Sequence, residues 1–183
     1  LAPTSGYSLF SSYEWASEAL GGSVNFQRVE AGGSYHFPLS QSWLVHTGLR
    51  GGFILSEGAS ADNIPFNSRF FTGGENTVRG YREGLATPLD SNGDELGSES
   101  YVLMNLELEQ RLSRSLSIVE FVDAVYFSRE GLYDGGNDFL YSVGLGIRYQ
   151  TVVGPIRLEY GYNPEPRPQD PKGRLHLSVG FPF

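Results

Sequence analysis

Arg174-Leu-His-Leu-Ser-Val-Gly-Phe-Pro-Phe183 alternates without a break. Leu175, Leu177, Val179, Phe181 and Phe183 share one parity, and Arg174, His176, Ser178, Gly180 and Pro182 the other. Successive side chains of a strand point to opposite faces, so this stretch is a strand with one apolar and one polar face. Its length is that of a tilted strand crossing a bilayer, about 9–11 residues.

The same pattern recurs upstream. Ile156, Leu158, Tyr160 and Tyr162 oppose Arg157, Glu159 and Gly161. Tyr141, Val143, Leu145, Ile147 and Tyr149 oppose Ser142, Gly144, Gly146, Arg148 and Gln150. Val102, Met104, Leu106 and Leu108 oppose Asn105, Glu107, Glu109 and Arg111. Trp43, Val45, Thr47, Leu49, Phe53 and Leu55 form an earlier strand. Val29, Ala31, Gly33, Tyr35, Phe37 and Leu39 form another, with a slip of phase expected near Arg28 because Val24 and Phe26 have the opposite parity. Tyr7, Leu9, Tyr13 and Trp15 open the series. The stretch 118–127 is ambiguous, because Val119, Phe121, Val125 and Phe127 share parity with Asp123 while the other parity is also apolar. The expected architecture is all-β and antiparallel, with eight strands in one domain over residues 1–183.

Composition narrows the function. The 24 glycines and 14% aromatics fit an all-β chain. The absence of cysteine excludes disulfides and thiol chemistry. A net charge of −8 argues against nucleic acid as a partner. The runs of apolar residues are too short for a transmembrane helix. A soluble β-sandwich and an outer-membrane barrel remain, and two features favour the barrel. One face carries Gly, Ser, Arg, Glu and His while the other is bulky, with tyrosines near the strand ends, as lipid demands. Connections also alternate. Pro38–Gln41, Ser113–Ser115 and Val152–Gly154 are short; Ala16–Gly22, Ser56–Ser100, Ser128–Asp138 and Asn163–Gly173 are mostly longer and more charged. Short periplasmic turns and long outer loops are the habit of such barrels, and an even strand number puts both termini in the periplasm.

Ser56–Ser100 far exceeds the roughly 12–15 residues beyond which a connection is usually functional or disordered. Within it, Arg69-Phe-Phe-Thr-Gly-Gly-Glu-Asn-Thr-Val-Arg-Gly-Tyr81 interleaves glycines with aromatics. That composition suits a compact fold; the plainer reading is an ordered surface loop whose glycines only make turns.

Phe71-Thr-Gly-Gly-Glu-Asn-Thr-Val-Arg-Gly-Tyr81 resembles the sixth-loop motif of the BamA/TamA-type outer-membrane assembly and translocation barrels. Pro3-Thr-Ser-Gly6, Asn105-Leu-Glu-Leu108, Phe121-Val-Asp-Ala124 and Gly154-Pro-Ile-Arg-Leu158 are similar, in the same order, to signatures of that family's C-terminal half. The resemblance implies a bacterial outer-membrane barrel acting non-enzymatically in protein insertion or translocation. It implies a loop motif of Gly73, Gly74, Val78, Arg79, Gly80 and Tyr81, whose Arg79 pairs with Glu107 and Asp123 on the wall. It also implies a C-terminal targeting signal at Ser178, Gly180, Phe181 and Phe183. Partners would be outer-membrane lipids, the outer-membrane assembly machinery and client barrel polypeptides. The alternative is a small structural or porin-like barrel without assembly activity.

The family's barrels have twice this number of strands and carry periplasmic POTRA domains; the expectation for residues 1–183 is the last eight strands without a POTRA domain. Side chains alone fill an eight-stranded barrel. The expectation is therefore a self-sealed barrel with the Arg79 loop outside the lumen; pairing with a second copy, or a longer parent chain, are the alternatives. Arg50, Arg148, Arg157 and Arg174 can face Glu107, Glu109 and Glu159 across the lumen, most simply as internal salt bridges. His36, His46 and His176 lie on the polar side, and His176 beside Ser178 reads as lumen packing rather than catalysis. Asp90-Ser-Asn-Gly-Asp94 has oxygen ligands in a loop but lacks the Gly and Glu of an EF-hand, with Glu95 and Tyr101 in their places. No cofactor or metal is expected.

Overall fold

Two of the short turns are built alike, and they set the register. In the first, the Ser40 hydroxyl accepts the N–H groups of Ser42 and Trp43, both at 3.2 Å, and the Leu39 N–H donates to the Trp43 carbonyl at 2.8 Å. In the second, the Ser113 hydroxyl accepts from Ser115 and Leu116, and Leu112 donates to Leu116 at 2.9 Å. A serine oxygen that takes backbone donors closes a tight turn without glycine.

The computed structural model describes residues 5–20, 24–56, 64–129, 139–152 and 154–180. The strands are β1 (Gly6–Ala16), β2 (Phe26–Pro38), β3 (Trp43–Ser56), β4 (Ser100–Arg111), β5 (Leu116–Ser128), β6 (Phe139–Thr151), β7 (Gly154–Tyr162) and β8 (Gly173–Val179). They form one sheet in sequence order, each antiparallel to the next. No described helix is long and apolar enough to cross a membrane.

The long connection between β3 and β4, described from Ile64, folds back onto one face of the sheet. A 3-10 turn (Phe66–Ser68) and two isolated bridges, Phe70 with Ser98 and Leu89 with Glu95, give it its own backbone order. Its Ile64, Phe70, Val78, Tyr81 and Ala86 join Phe26, Ile54, Tyr101, Leu103, Val125, Phe127 and Leu140 of the strands in one buried cluster. Phe70 lies 4.9 Å from the Tyr101 ring, over Gly52, where a Cβ would come within 2.6 Å of the Phe70 ring. The loop-covered face is thus apolar near the loop and charged nearer the short turns. The opposite face is exposed and almost wholly apolar, from Tyr7 and Leu9 on β1 to Leu177 and Val179 on β8.

This two-zone inner face corrects three expectations. β2 runs unbroken from Phe26 to Pro38 in register with β3, so no slip occurs at Arg28; Phe26 breaks the pattern because it points inward under the loop. The ambiguous stretch 118–127 is β5, apolar on both parities because Val125 and Phe127 pack the loop while Ile118 and Val122 are exposed. Finally, no ladder joins β1 to β8 among the described residues, so the sheet is not closed on itself. The loop covers the inner face instead of standing outside, because an unclosed sheet does not have its interior filled by its own side chains.

Candidate functional site

Arg79 is the centre of the inner face. Val78 and Tyr81, either side of it, are buried in the apolar cluster, which commits Arg79 to the charged zone beyond. Gly73 and Gly74 set up the approach with positive φ values of +112° and +101°, a region costly for other residues. The Thr77 hydroxyl accepts the Gly73 N–H at 2.8 Å, which closes the turn.

The Arg79 guanidinium is 1% exposed and meets three carboxylates. Nε donates to Asp123 Oδ2 at 2.8 Å and Nη2 to Asp123 Oδ1 at 2.7 Å, a two-pronged pairing from β5. The Arg79 backbone N–H also donates to Asp123 Oδ2, at 3.1 Å. Nη1 reaches Glu107 Oε1 on β4 at 2.5 Å and Glu159 Oε2 on β7 at 3.1 Å. The Phe121 ring lies against the guanidinium, 3.4 Å from centroid to Cζ. Only a planar fork can serve two wall carboxylates and an aromatic face together.

The wall supports this clamp. Asn105 donates at 2.7 Å both to Asp123 Oδ1 and to the Thr77 carbonyl, so one amide ties wall to loop. Arg148 on β6 donates to Glu107 at 2.8 Å and to Glu159 at 2.7 Å. Arg157 stands 3.6 Å from Glu159, with its Nε and Nη1 lacking hydrogen-bond partners. Towards the short turns, Glu109 meets His46 Nε2 at 3.1 Å, and the His46 and His36 Nδ1 atoms are 2.7 Å apart. A buried charge needs both partner and hydrogen bonds to be tolerated; each carboxylate here has a cationic or histidine partner, with Glu107 bonded through Oε1 while its Oε2 accepts no hydrogen bond.

The backbone at Arg79–Gly80 rests directly on the strands. Gly80 donates to Ser142 on β6 at 3.1 Å, and Asn163 donates to the Gly80 carbonyl at 2.8 Å. His176 Nε2 on β8 donates to the Arg79 carbonyl at 2.7 Å. Gly161 makes room: a Cβ there would lie 2.5 Å from the Arg79 carbonyl carbon. Further out, Arg167 binds Asp170 and donates to the carbonyls of Leu85 and Thr87 at 2.6 and 2.8 Å, strapping the β7–β8 connection to the long loop. Burial, with the Asp170 charge second, pushes the Tyr81 phenol up to about 12.

The loop residues Gly73, Gly74, Val78, Arg79, Gly80 and Tyr81 therefore meet Glu107 and Asp123 on the inner face, with Glu159 as a third carboxylate. Of the other arginines expected to face the glutamates, Arg148 and Arg157 do so. Arg50 instead lies 5.4 Å from the Phe10 ring, and neither it nor Arg174 forms an ion pair with those glutamates among the described residues. Ser178 pairs with Arg157 across the β7–β8 ladder, and Gly180 donates to Pro155 at 2.9 Å. Phe181 and Phe183 lie outside the described residues. Asp90 accepts the N–H groups of Asn92 and Asp94 and so closes its own turn. No sequence signal marks Asn105, Ser142, Asn163 and His176 as loop contacts. The polar parity of β6 and β8 placed Ser142 and His176 on the inner face, but nothing local said that a loop backbone would reach them.

A long loop that sends one arginine onto carboxylates of a β-sheet is the geometry that the resemblance implied, and comparison with known proteins is decisive. Residues 1–183 match the Omp85 superfamily domain. The chain belongs to the Omp85 superfamily. Among the relatives of this Omp85 chain is an outer membrane protein assembly factor BamA from Nitratidesulfovibrio vulgaris, 26% identical over 97% of this chain and 23% of that protein. The BamA of Neisseria meningitidis is 24% identical over the whole chain and 27% of its own length. The chloroplastic outer envelope protein 80 of Arabidopsis thaliana is 31% identical over 70% of this chain. The chain thus spans about a quarter of the length of the BamA relatives. The crystal structure of Haemophilus ducreyi BamA lacking POTRA domains 1–3 superposes with a TM-score of 0.75, covering 96% of this chain and 38% of that one at 20% identity, which establishes a shared fold.

Proposed function

We propose that these residues are the C-terminal part of a transmembrane β-barrel in a bacterial outer membrane, and that the protein acts non-enzymatically in inserting or translocating other outer-membrane polypeptides. The observation that carries this reading is the Arg79 clamp. It spends a buried fork, three carboxylates and an aromatic ring on fixing one loop, far more than a passive surface loop requires.

The exposed, almost continuously apolar face supports contact with lipid, since a water-facing sheet of this size would carry polar residues there. The short turns then face the periplasm, with both termini on that side. Among the described residues no strand pairs with the outer edge of β8, which would leave backbone groups for strand addition, the interaction by which a client strand can join a sheet. Ser178, Gly180, Phe181 and Phe183 would serve as the signal that the assembly machinery reads. Arg79 with Glu107 and Asp123 would hold the loop in place while the edge works.

The test is client insertion into liposomes that carry the purified protein. Faster membrane insertion of an unfolded client barrel than into empty liposomes is expected; equal rates would leave a structural barrel as the function. Migration that shifts between unheated and boiled samples is expected of the barrel itself.

A further inference from the structure

Along the exposed faces of the eight strands, one acidic side chain stands alone among the described residues. Glu120 on β5 points outward with Ile118 and Val122, and its cross-strand neighbours are Leu108 and Leu145. Every other Asp, Glu, Lys or Arg of the described strands sits on the inner parity. No described residue gives Glu120 a hydrogen bond or an ion pair. An ionisable group on a lipid-facing surface is costly and is by default a functional candidate.

Glu120 also borders a groove of about 530 Å³, within the range of small-molecule sites, roughly 300–1,000 Å³. Leu106, Val122, Val143 and Tyr160 line its sides, and the backbone at Gly144 helps form its floor. The Cβ that Gly144 lacks would point to the inner face, into the Phe121 ring, so on the groove side Gly144 contributes backbone alone. The groove has a carboxylate at its margin and apolar walls elsewhere.

Depth selects the occupant. Glu120 lies two outward positions beyond Leu116, which pairs with Tyr149 at the short-turn end of the sheet. At about 3.3 Å per residue and a tilt near 40°, the carboxylate is roughly 10 Å in from that rim, within reach of headgroups of the leaflet on that side. We propose that the Glu120 groove binds an aminophospholipid of that leaflet, its primary ammonium on the carboxylate and an acyl chain along the groove. Charge complementarity favours a lipid with a terminal cation over an anionic one, and the ammonium supplies the hydrogen bonds that the carboxylate lacks. The inference rests on the membrane-barrel reading above.

Purified protein in detergent would be presented with phosphatidylethanolamine and phosphatidylglycerol of identical acyl chains, and bound lipid measured by native mass spectrometry. Several-fold preference for phosphatidylethanolamine is expected, falling to parity in both Glu120→Gln and Glu120→Leu. Parity in the unmodified protein, or an unchanged preference in Glu120→Leu, overturns the site. A photoactivatable residue at Val122, used in native membranes, should label lipid; labelling of protein alone overturns the lipid in favour of a protein partner. Heat-dependent mobility, measured on the same samples, reports on the barrel separately. Its retention with lost lipid preference in Glu120→Leu supports the site, and its absence from the unmodified protein removes the membrane reading and the site together.

Discussion

At the scale of single residues, Asp123 has the most to lose. It is fully buried and accepts both prongs of Arg79, the Arg79 backbone N–H and the Asn105 amide. Removing one partner of a buried pair strands the other, at a cost of about 3–5 kcal/mol. Asp123→Ala is therefore expected to lower loop stability by that order, measured by denaturant-dependent protease sensitivity. Arg79→Lys should recover little, because an ammonium cannot span Asp123 and Glu107 together. Arg157 allows a sharper test. Its Nε and Nη1 lack hydrogen-bond partners and Nη1 lies 3.6 Å from Glu159, so it is placed to take over that carboxylate when Arg79 leaves. Arg79→Met should then be more damaging in an Arg157→Met background than alone, with a coupling of about 0.5–3 kcal/mol in a double-mutant cycle. Simple additivity would show that Arg157 plays no such part.

At the scale of elements, the loop and the terminal strand are one mechanical unit. His176 of β8 holds the Arg79 carbonyl, and Gly161 of β7 lets the loop backbone down onto the sheet. Gly161→Ala is expected to lift the loop, costing about 1–3 kcal/mol as overpacking does, with faster amide exchange in 76–81 and in β8. Exchange unaltered in β8 would separate the two elements. Tyr81 gives this contact a pH limit. A phenol held protonated by burial contributes stability that is complete below its unfolded value of about 10 and disappears as pH rises through about 12. Loop protease sensitivity should therefore climb across that window, and Tyr81→Phe should abolish the climb. Much of this level was legible in the sequence. Strict alternation gave β4, β6, β7 and β8, and put Glu107, Arg148 and Glu159 on one face. What alternation could not give was Asp123, because β5 is apolar on both sides. The inner apolar residues Val125 and Phe127 pack against a loop far away in sequence, and period-two reasoning carries no information about that cover.

At the scale of the molecule, the sheet's two free edges and its covered face belong together. Strand number alone predicts a sealed barrel and an excluded loop. The eight strands instead leave β1 and β8 unpaired among the described residues and give their inner face to the loop. The shared fold with a BamA chain of which this one covers 38% fits an arc of a wider wall. The Arg79 clamp seats the loop on the inner face of the sheet. Trypsin tests it in intact membranes, because the peptide bond after Arg79 is buried in the seated loop while Arg82, three residues on, is exposed. Mass mapping of the fragments should show cleavage after Arg82 but none after Arg79 in the unmodified protein, and cleavage at both sites in Glu107→Ala/Asp123→Ala. Cutting after Arg79 in the unmodified protein, or a fragment pattern that the double substitution leaves unchanged, would show that the clamp does not hold the loop.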